Sequence, residues 1–156
     1  MANKIKSAFA TAITPTITLD SLASSAVRIS TQVDRGEGSI ETDYRLEVVI
    51  DGFASPPVVG QRVSVHIATA HSVPADVDGT IGVTDAAGTD ASLKNMIFVV
   101  SAIVQTTTQA NRLIASAVVS IASQYFSVVV KNDTDDALAG LASHRITLIP
   151  IADEVQ

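Results

Sequence analysis

The residues in this sequence that could do chemistry are a cluster of acidic side chains and three histidines. The segment KNDTDD brings together Asp133, Asp135 and Asp136, and clustered carboxylate oxygens are the ligands that Ca²⁺ prefers. The segment lacks the D-x-D-x-D-G order of a calcium-binding loop, and Asn and Asp also favour turns that need no ion. We therefore interpret it as a turn, with calcium binding as the alternative. The segments ADVDG and TDAAGTD receive the same interpretation.

The three histidines do not form a complete metal-binding pattern. His66 and His71 are five positions apart, so their rings could meet only if a loop folded back, and His144 lies elsewhere in the sequence. Zinc ligands usually show tighter spacing. We therefore expect the histidines to occupy surface positions on strands or loops. We expect neither a metal ion nor another cofactor.

Other catalytic patterns are missing from the sequence. Serines are plentiful, but no nucleophile elbow of the form G-x-S-x-G occurs. Neither of the phosphate-binding glycine patterns, G-x-x-x-x-G-K and G-x-G-x-x-G, is present. The chain has no cysteine, which excludes disulfides, thiol catalysis and zinc–thiolate sites. We therefore expect a protein that is not an enzyme.

Charge and hydropathy narrow the range of partners. The net charge is −6 and the ten lysines and arginines are scattered, whereas a nucleic-acid-binding protein needs a basic stripe. The longest uncharged run, Leu113–Val130, contains four serines, Gln124 and Tyr125, which makes it a poor membrane helix. We therefore expect no nucleic acid and no membrane as partners, and we expect this run to be buried globular structure.

Composition and alternation predict a β protein. Valine and isoleucine together number 35 against 8 leucines, and β-branched side chains favour strands. Apolar and polar residues alternate in TDYRLEVVID, GQRVSVHIA and QYFSVVVKND, which is the period of a strand with one buried face. Since turns separate most of these segments, we predict an all-β fold, an antiparallel β-sandwich of about eight strands. The residues predicted to be largely buried are Tyr44, Leu46, Val48, Ile50, Val63, Val65, Ile67, Phe126, Val128 and Val130.

Three further stretches need separate interpretation. In NRLIASAVVSIAS the apolar residues fit a helical face and a strand equally well, and we interpret it as a strand start followed by one short helix. Residues 70–92 are predicted to form a long loop with one short strand, GTIGV. The segment MIFVVSAIVQ, residues 96–105, is predicted to be a buried strand because it is dense in β-branched residues.

The two ends of the chain are predicted to lie outside the sandwich. MANKIKSAFATA has two lysines and an A-x-A ending, but its apolar segment SAFAT is too short for a secretory signal. We interpret residues 1–12 as an N-terminal arm, residues 13–151 as the β-sandwich domain and residues 152–156 as a polar tail. The arm is a candidate docking segment, with Lys4, Ile5, Lys6 and Phe9 as its candidate contacts.

About two-thirds of the chain resembles small virion proteins of tailed phages. The stretch ITLDSLASSAVRISTQVDRGEGSIETDYRLEVVI is similar to their entry strand, Ser/Ala-rich turn, arginine-bearing strand, VD turn and long alternating strand. SAVVSIASQYFSVVVKNDTDDAL is similar to their short Ser/Ala helix, aromatic-led strand and following turn. HRITLIPI is similar to their closing strand. The resemblance covers about Ile17–Ile50 and Ser116–Ile151.

The resemblance implies a jelly-roll-like sandwich and a non-enzymatic, structural place in the virion. It implies a capsid decoration (cement) protein on the capsid exterior, which binds the major capsid protein lattice and neighbouring copies of itself and stabilises the shell. Net acidity suits the exterior better than the DNA-filled interior. The alternative is a receptor- or carbohydrate-binding sandwich on a tail or fibre, because a fold does not decide between these roles. The low aromatic content, 4% of residues, counts against sugar binding.

Overall fold

The part of the chain that the structure describes contains nine strands, and the long ones are rich in branched aliphatic residues. The structure is a computed structural model, and it describes residues 11–36, 42–70, 84–140 and 143–151. A single 3₁₀ helix within these residues, Ser92–Asn95, precedes the sixth strand. The strands are β1 (Val27–Ile29), β2 (Val33–Asp34), β3 (Asp43–Asp51), β4 (Arg62–Ala70), β5 (Ala86–Gly88), β6 (Ile97–Ile103), β7 (Arg112–Ser120), β8 (Tyr125–Asp133) and β9 (Arg145–Pro150).

The strands form two antiparallel sheets. The first has six strands, in the order β5-β1-β8-β4-β6 with β2 also paired to β8, and the second has the order β7-β3-β9. The chain passes from one sheet to the other between β2 and β3, between β3 and β4, and at each connection from β6 to β9. The predicted all-β antiparallel sandwich is confirmed. The chain crosses repeatedly between the two sheets, as it does in a jelly roll.

The core lies between the sheets and consists of the residues that the alternation selected. All ten residues predicted to be largely buried are at most 2% exposed, and they belong to one apolar cluster. The chain has no tryptophan, so aliphatic side chains of β3, β4 and β8 fill most of this space, together with Phe53 and Phe126. Branched aliphatic residues suit such a core because they pack well on a pleated surface.

The predicted short helix in NRLIASAVVSIAS is wrong, because β7 extends through Ser120. It pairs with β3 without a break, from Asp43 opposite Ser120 to Asp51 opposite Arg112. Leu113 faces the core and is buried. A sequence that fits both periods takes the conformation that its neighbouring strand stabilises, because pairing with β3 satisfies the backbone N–H and C=O groups on the facing side of β7.

The outer face of the six-stranded sheet carries a second, smaller apolar cluster. Val27 and Ile29 share this face with Ala68 and Val129, and Leu93 and Met96 pack against them. The short strand β5 lies beside β1, where a Cβ atom at Gly88 would lie 2.8 Å from side-chain carbons of both Val27 and Ile29. Glycine is therefore required for this close approach. The short strand predicted at GTIGV lies in residues 71–83, outside the described residues.

One side of the sandwich is closed by the segment Ile13–Leu19. Ile13 exchanges two backbone hydrogen bonds of 2.8 Å with Leu148 of β9, and the backbone N–H of Thr31 donates to the carbonyl of Thr16 (2.8 Å). Pro15 and Leu19 are buried. The segment therefore runs from the second sheet to the first and covers the core along the β9 side.

We expect Leu46→Ala to lower the free energy of unfolding by about 2–5 kcal/mol, because Leu46 is fully buried and its truncation leaves a cavity. Urea denaturation monitored by circular dichroism measures this difference. Val58→Ala is the matched control, because Val58 is 52% exposed and an exposed truncation changes stability by about 0.5 kcal/mol or less. Equal effects of the two substitutions would contradict the assignment of the core.

Candidate functional surface

The acidic turn after β8 is organised by protein hydrogen bonds. The side-chain amide of Asn132 donates to the carbonyl oxygens of Leu22 (3.0 Å), Ala23 (3.1 Å) and Asp136 (2.8 Å). Its carbonyl oxygen accepts a hydrogen bond from the hydroxyl of Thr134 (2.7 Å). Asn132 and Thr134 are buried, so this small network fixes the turn as part of the fold.

The three carboxylates of KNDTDD have separate environments, with Asp133 at the end of β8 and the other two in the turn after it. Asp133 accepts hydrogen bonds from the Lys131 ammonium and the Ser64 hydroxyl, both at 2.8 Å. Asp136 accepts one from the backbone N–H of Ser55 on the β3–β4 connection, and Asp135 is exposed. Among residues 11–36, 42–70, 84–140 and 143–151, no group of three or more His, Asp or Glu side chains could hold a metal ion.

The two histidines within the described residues have separate environments. The ring of His66 lies on the outer face of β4, 5.5 Å from the ring of Phe98 in an edge-on arrangement. Burial lowers the pKa of His66, an effect that Asp133 partly offsets and Lys131 adds to, so the ring is mainly neutral at pH 7.

His144 fastens two connections of the sandwich together. Its Nδ1 accepts a hydrogen bond from the backbone N–H of Asp51 (2.9 Å), so its Nε2 carries the proton and donates to the carbonyl of Ala139 (2.9 Å). His71 lies outside the described residues, so its predicted surface position on a strand or loop stays a prediction.

Asp85 joins the closing segment to the first sheet. Its carboxylate accepts a hydrogen bond from Arg28 Nε (2.6 Å) and one from the backbone N–H of Thr18 (2.9 Å), and the Thr18 hydroxyl also donates to it. Burial raises the pKa of Asp85, but the hydrogen bonds from Arg28 and Thr18 together outweigh burial and lower it. The same contact raises the pKa of Arg28.

The lowered pKa of Asp85 predicts a pH-dependent contribution to stability. Because the folded-state pKa lies below the ordinary value of 3.8, the ionised carboxylate stabilises the fold above that pH, and the contribution disappears as the pH falls through the folded-state pKa. We expect Asp85→Asn to lower the unfolding free energy by about 1 kcal/mol at pH 7, and by progressively less below pH 3.8.

Thermal melts of both proteins across this pH range measure the difference. Asp20→Asn is the control, because Asp20 is exposed at the end of the closing segment. A gap between wild type and Asp85→Asn that stays constant down to strong acid would contradict the role assigned to the carboxylate.

The predicted contacts of the docking arm, Lys4, Ile5, Lys6 and Phe9, lie outside the described residues. The structure does show where the arm joins the sandwich. Ile13 is bonded to β9, and Thr11 and Ala12 before it are exposed. The assignment of residues 1–12 as an arm therefore stays a prediction, and its point of attachment is beside β9.

Large apolar side chains are exposed on the opposite side of the sandwich, where β6 and β7 form the ends of the two sheets. We call this surface the β6–β7 edge. It is formed by exposed residues of both strands, each between 46% and 68% accessible: Ile97, Phe98 and Ile103 of β6, and Ile114 and Val118 of β7.

The prediction that MIFVVSAIVQ is a buried strand is wrong for most of its residues. Within this segment Ala102 and Val104 are buried, whereas Phe98 is 58% exposed. The cause is topology, because β4 is the one strand paired with β6 among residues 11–36, 42–70, 84–140 and 143–151. A dense run of β-branched residues occurs both in central strands and in end strands. The sequence alone therefore does not distinguish a buried strand from an exposed one here.

A polar recess lies next to Phe98 on the outer face of the six-stranded sheet. It is lined by Arg62, Ser64, His66, Leu93, Phe98, Lys131 and Asp133. In this recess the Lys131 ammonium forms salt bridges with Asp133 (2.8 Å) and Asp90 (3.1 Å). Hydrogen bonds and ion pairs with Asp133 and Asp90 raise the pKa of Lys131.

Comparison with known proteins leaves this chain without an assigned family. No protein-family model matches it, and no curated protein is similar enough to count as a relative. In the described part of the chain, no helix is long and apolar enough to span a membrane.

We expect the melting temperature to be the same with and without EDTA, because Asp133 and Asp136 already have hydrogen-bond donors from the protein. Differential scanning calorimetry in metal-free buffer measures this. A melting temperature that drops in EDTA and returns with added Ca²⁺ would show that an acidic turn is an ion site after all.

Proposed function

We propose that this protein is a non-enzymatic structural protein of a phage virion, a decoration protein that binds the major capsid protein lattice and stabilises the shell from outside. The observation that carries the proposal is the β6–β7 edge, where five large apolar side chains stand exposed on a rigid sandwich. Exposed large apolar side chains are typical of surfaces that bind other proteins, and Ile103 of β6 and Ile114 of β7 line one cleft. The resemblance of Ile17–Ile50 and Ser116–Ile151 to small virion proteins supplies the kind of partner.

The polar groups of the described surface support a binding role of this kind. The carboxylates of Asp85 and Asp133 are held by Arg28 and Lys131, and His144 bridges two backbone groups. These groups hold connections and strands in place. Rigid presentation of a surface lowers the entropy cost of binding.

The N-terminal arm is the second part of the proposed attachment. Lys4 and Lys6 would contact acidic patches of the capsid, and Ile5 and Phe9 would be buried there, each contributing about 1.5–3 kcal/mol before ordering costs. Ordering twelve residues consumes most of that gain. Many copies on one lattice, together with contacts between neighbouring copies, would make up the difference through avidity.

One observation favours a second candidate, a carbohydrate-binding module on a tail or fibre. Phe98 is 58% exposed and borders the polar recess that contains His66, Lys131 and Asp133. An exposed ring beside polar groups is a suitable platform for a sugar. Binding of a glycan that Phe98→Ala abolishes, with no binding to capsids, would favour this candidate over the decoration protein.

We expect the purified chain to bind capsids that lack it, up to a saturating ratio, and to raise the temperature at which the shells break open. Co-sedimentation measures occupancy, and release of packaged DNA reports shell opening. A chain without residues 2–11 should leave most sites empty at the concentration that saturates them for the full chain, because the arm anchors are lost.

Lys4→Glu and Lys94→Glu form a matched pair for this experiment, because both replace one positive charge by a negative charge and Lys94 is exposed on the 3₁₀ helix. Only the first should reduce occupancy. Unchanged occupancy of the deletion variant, with its sandwich still folded, would contradict the arm and leave the strands as the binding surface. Failure of the full chain to bind any capsid would contradict the proposed function itself.

A further inference from the structure

Among the strands that the structure describes, β7 is an edge, and it lacks the usual protection against pairing. Proteins guard exposed edges with lysines, prolines, bulges or short strands. β7 has nine residues, its ladder with β3 is regular along its whole length, and from Leu113 to Ser120 it contains neither a charged residue nor a proline. The other edge of the same sheet is β9, which ends in Pro150 and is hydrogen-bonded to Ile13.

The hydrogen-bond ladder between β3 and β7 shows which backbone groups of β7 point to its free side. The N–H of Ile121 donates to the carbonyl of Thr42 (2.7 Å), and residues on an antiparallel strand alternate between the two sides. The backbone N–H and C=O groups of the odd-numbered residues of β7 are therefore hydrogen-bonded to β3. The even-numbered residues direct their N–H and C=O groups away from the sheet: Arg112, Ile114, Ser116, Val118 and Ser120.

The side chains of β7 are symmetric about Ser116. If a second β7 is placed antiparallel with Ser116 opposite Ser116, Ile114 lies opposite Val118, and Arg112 lies opposite Ser120. Ile114 and Val118 are 68% and 66% exposed, so the two most exposed apolar side chains of the strand would cover each other. No charge meets a like charge across this pairing, a juxtaposition that would destabilise it.

The same register also suits the inward-facing side chains and the backbone. Leu113 would lie opposite Val119, and Ala115 opposite Ala117, so each apolar residue again meets an apolar one. The residues with free N–H and C=O groups fall opposite one another, so five hydrogen-bonded pairs would form about ten hydrogen bonds, two for each pair. If the register shifted by one residue, each residue with free N–H and C=O groups would face a residue whose groups are already hydrogen-bonded to β3. The hydrogen bonds between the two copies would then be lost.

We propose that two copies of this chain associate by pairing β7 with β7 about a two-fold axis at Ser116, which joins the two three-stranded sheets into one continuous sheet. A two-fold interface needs a patch that is complementary to itself, and β7 has that property in its side chains and its backbone. This proposal does not depend on capsid binding. If the protein is also a decoration protein, the pairing links neighbouring copies.

The contact extends beyond the strand itself. An interface of ordinary size buries about 800 Å² on each partner. A single strand edge supplies less area than that. Ile103 of β6 is 54% exposed and lines the same cleft between the sheets as Ile114. A partner strand laid along β7 therefore also approaches Ile103 and covers more of the β6–β7 edge.

Sedimentation velocity of the full chain over a range of concentrations tests the proposal. We expect a species of twice the chain mass of 16.2 kDa at high concentration. Ser116→Lys and Ser116→Glu should each sediment as monomers, because like charges would meet on the axis. An equimolar mixture of the two should recover the dimer, because lysine then meets glutamate.

Ala87→Lys is the matched control, because Ala87 is exposed on β5, the end strand of the other sheet. It should dimerise like the wild type. A wild type that stays monomeric at all concentrations would overturn the proposal and assign the edge to a different partner. Dimers of Ser116→Lys, or a mixture that stays monomeric, would overturn the two-fold at Ser116.

A cross-linking experiment keeps the test decisive if a charged variant fails to fold. The chain has no cysteine, so Ser116→Cys introduces a single thiol, and residues directly opposite in a hydrogen-bonded pair have Cα atoms about 5.5 Å apart. A short bismaleimide should link Ser116→Cys into a dimer and leave Ala87→Cys monomeric. Equal linkage of both variants, or linkage of neither, would overturn the proposed interface.

Discussion

The packing of β3 against β4 and β8 is the interaction on which the rest of the structure depends. These three strands come from both sheets and supply most of the fully buried side chains. The chain has no tryptophan, and aromatics are 4% of its residues, so the core depends on many small contacts between branched aliphatic groups. Close packing of such groups leaves little room for error, because each lost methyl group leaves a void.

A core between two open sheets leaves two sides to be covered, and this protein covers them differently. Ile13–Leu19 closes the β9 side with backbone hydrogen bonds, and Asp85 ties that segment to Arg28. The opposite side ends in β6 and β7 with large apolar side chains exposed. The ionisable groups of the turns hold connections in place. In our proposal, interaction with other molecules is concentrated at the uncovered edge and at the arm.

Local alternation predicted the centre of the fold but not its edges. In β3, β4 and β8 the apolar residues recur at every second position, and turn residues bound the strands, so the buried face could be identified from sequence. In β7, Leu113, Ala117 and Val118 fit a helical face as well as Leu113, Ala115, Ala117 and Val119 fit a strand. The long ladder with β3 decides between the two, and its register is a property of the tertiary structure.

The candidate surface was less accessible to sequence reasoning than the core. MIFVVSAIVQ has the composition of a buried strand, but β6 is the end strand of its sheet in the described part of the chain, and Phe98 is exposed there. In KNDTDD the turn interpretation holds for residues 134–136, whereas Lys131, Asn132 and Asp133 belong to β8. The hydrogen bonds of the Asn132 amide to the distant carbonyls of Leu22 and Ala23 could not be foreseen. Which strands end a sheet follows from topology, and that information is spread over the whole chain.

The proposed place of this protein in a virion is tested most directly by counting its copies in separated virion parts. Purified virions would be split into capsids and tails, and the chain quantified in each fraction by mass spectrometry against labelled peptides. The account predicts that the chain is found with the capsids, in a fixed ratio to the major capsid protein. Its presence in the tail fraction, or only in trace amounts relative to the capsid protein, would contradict the account.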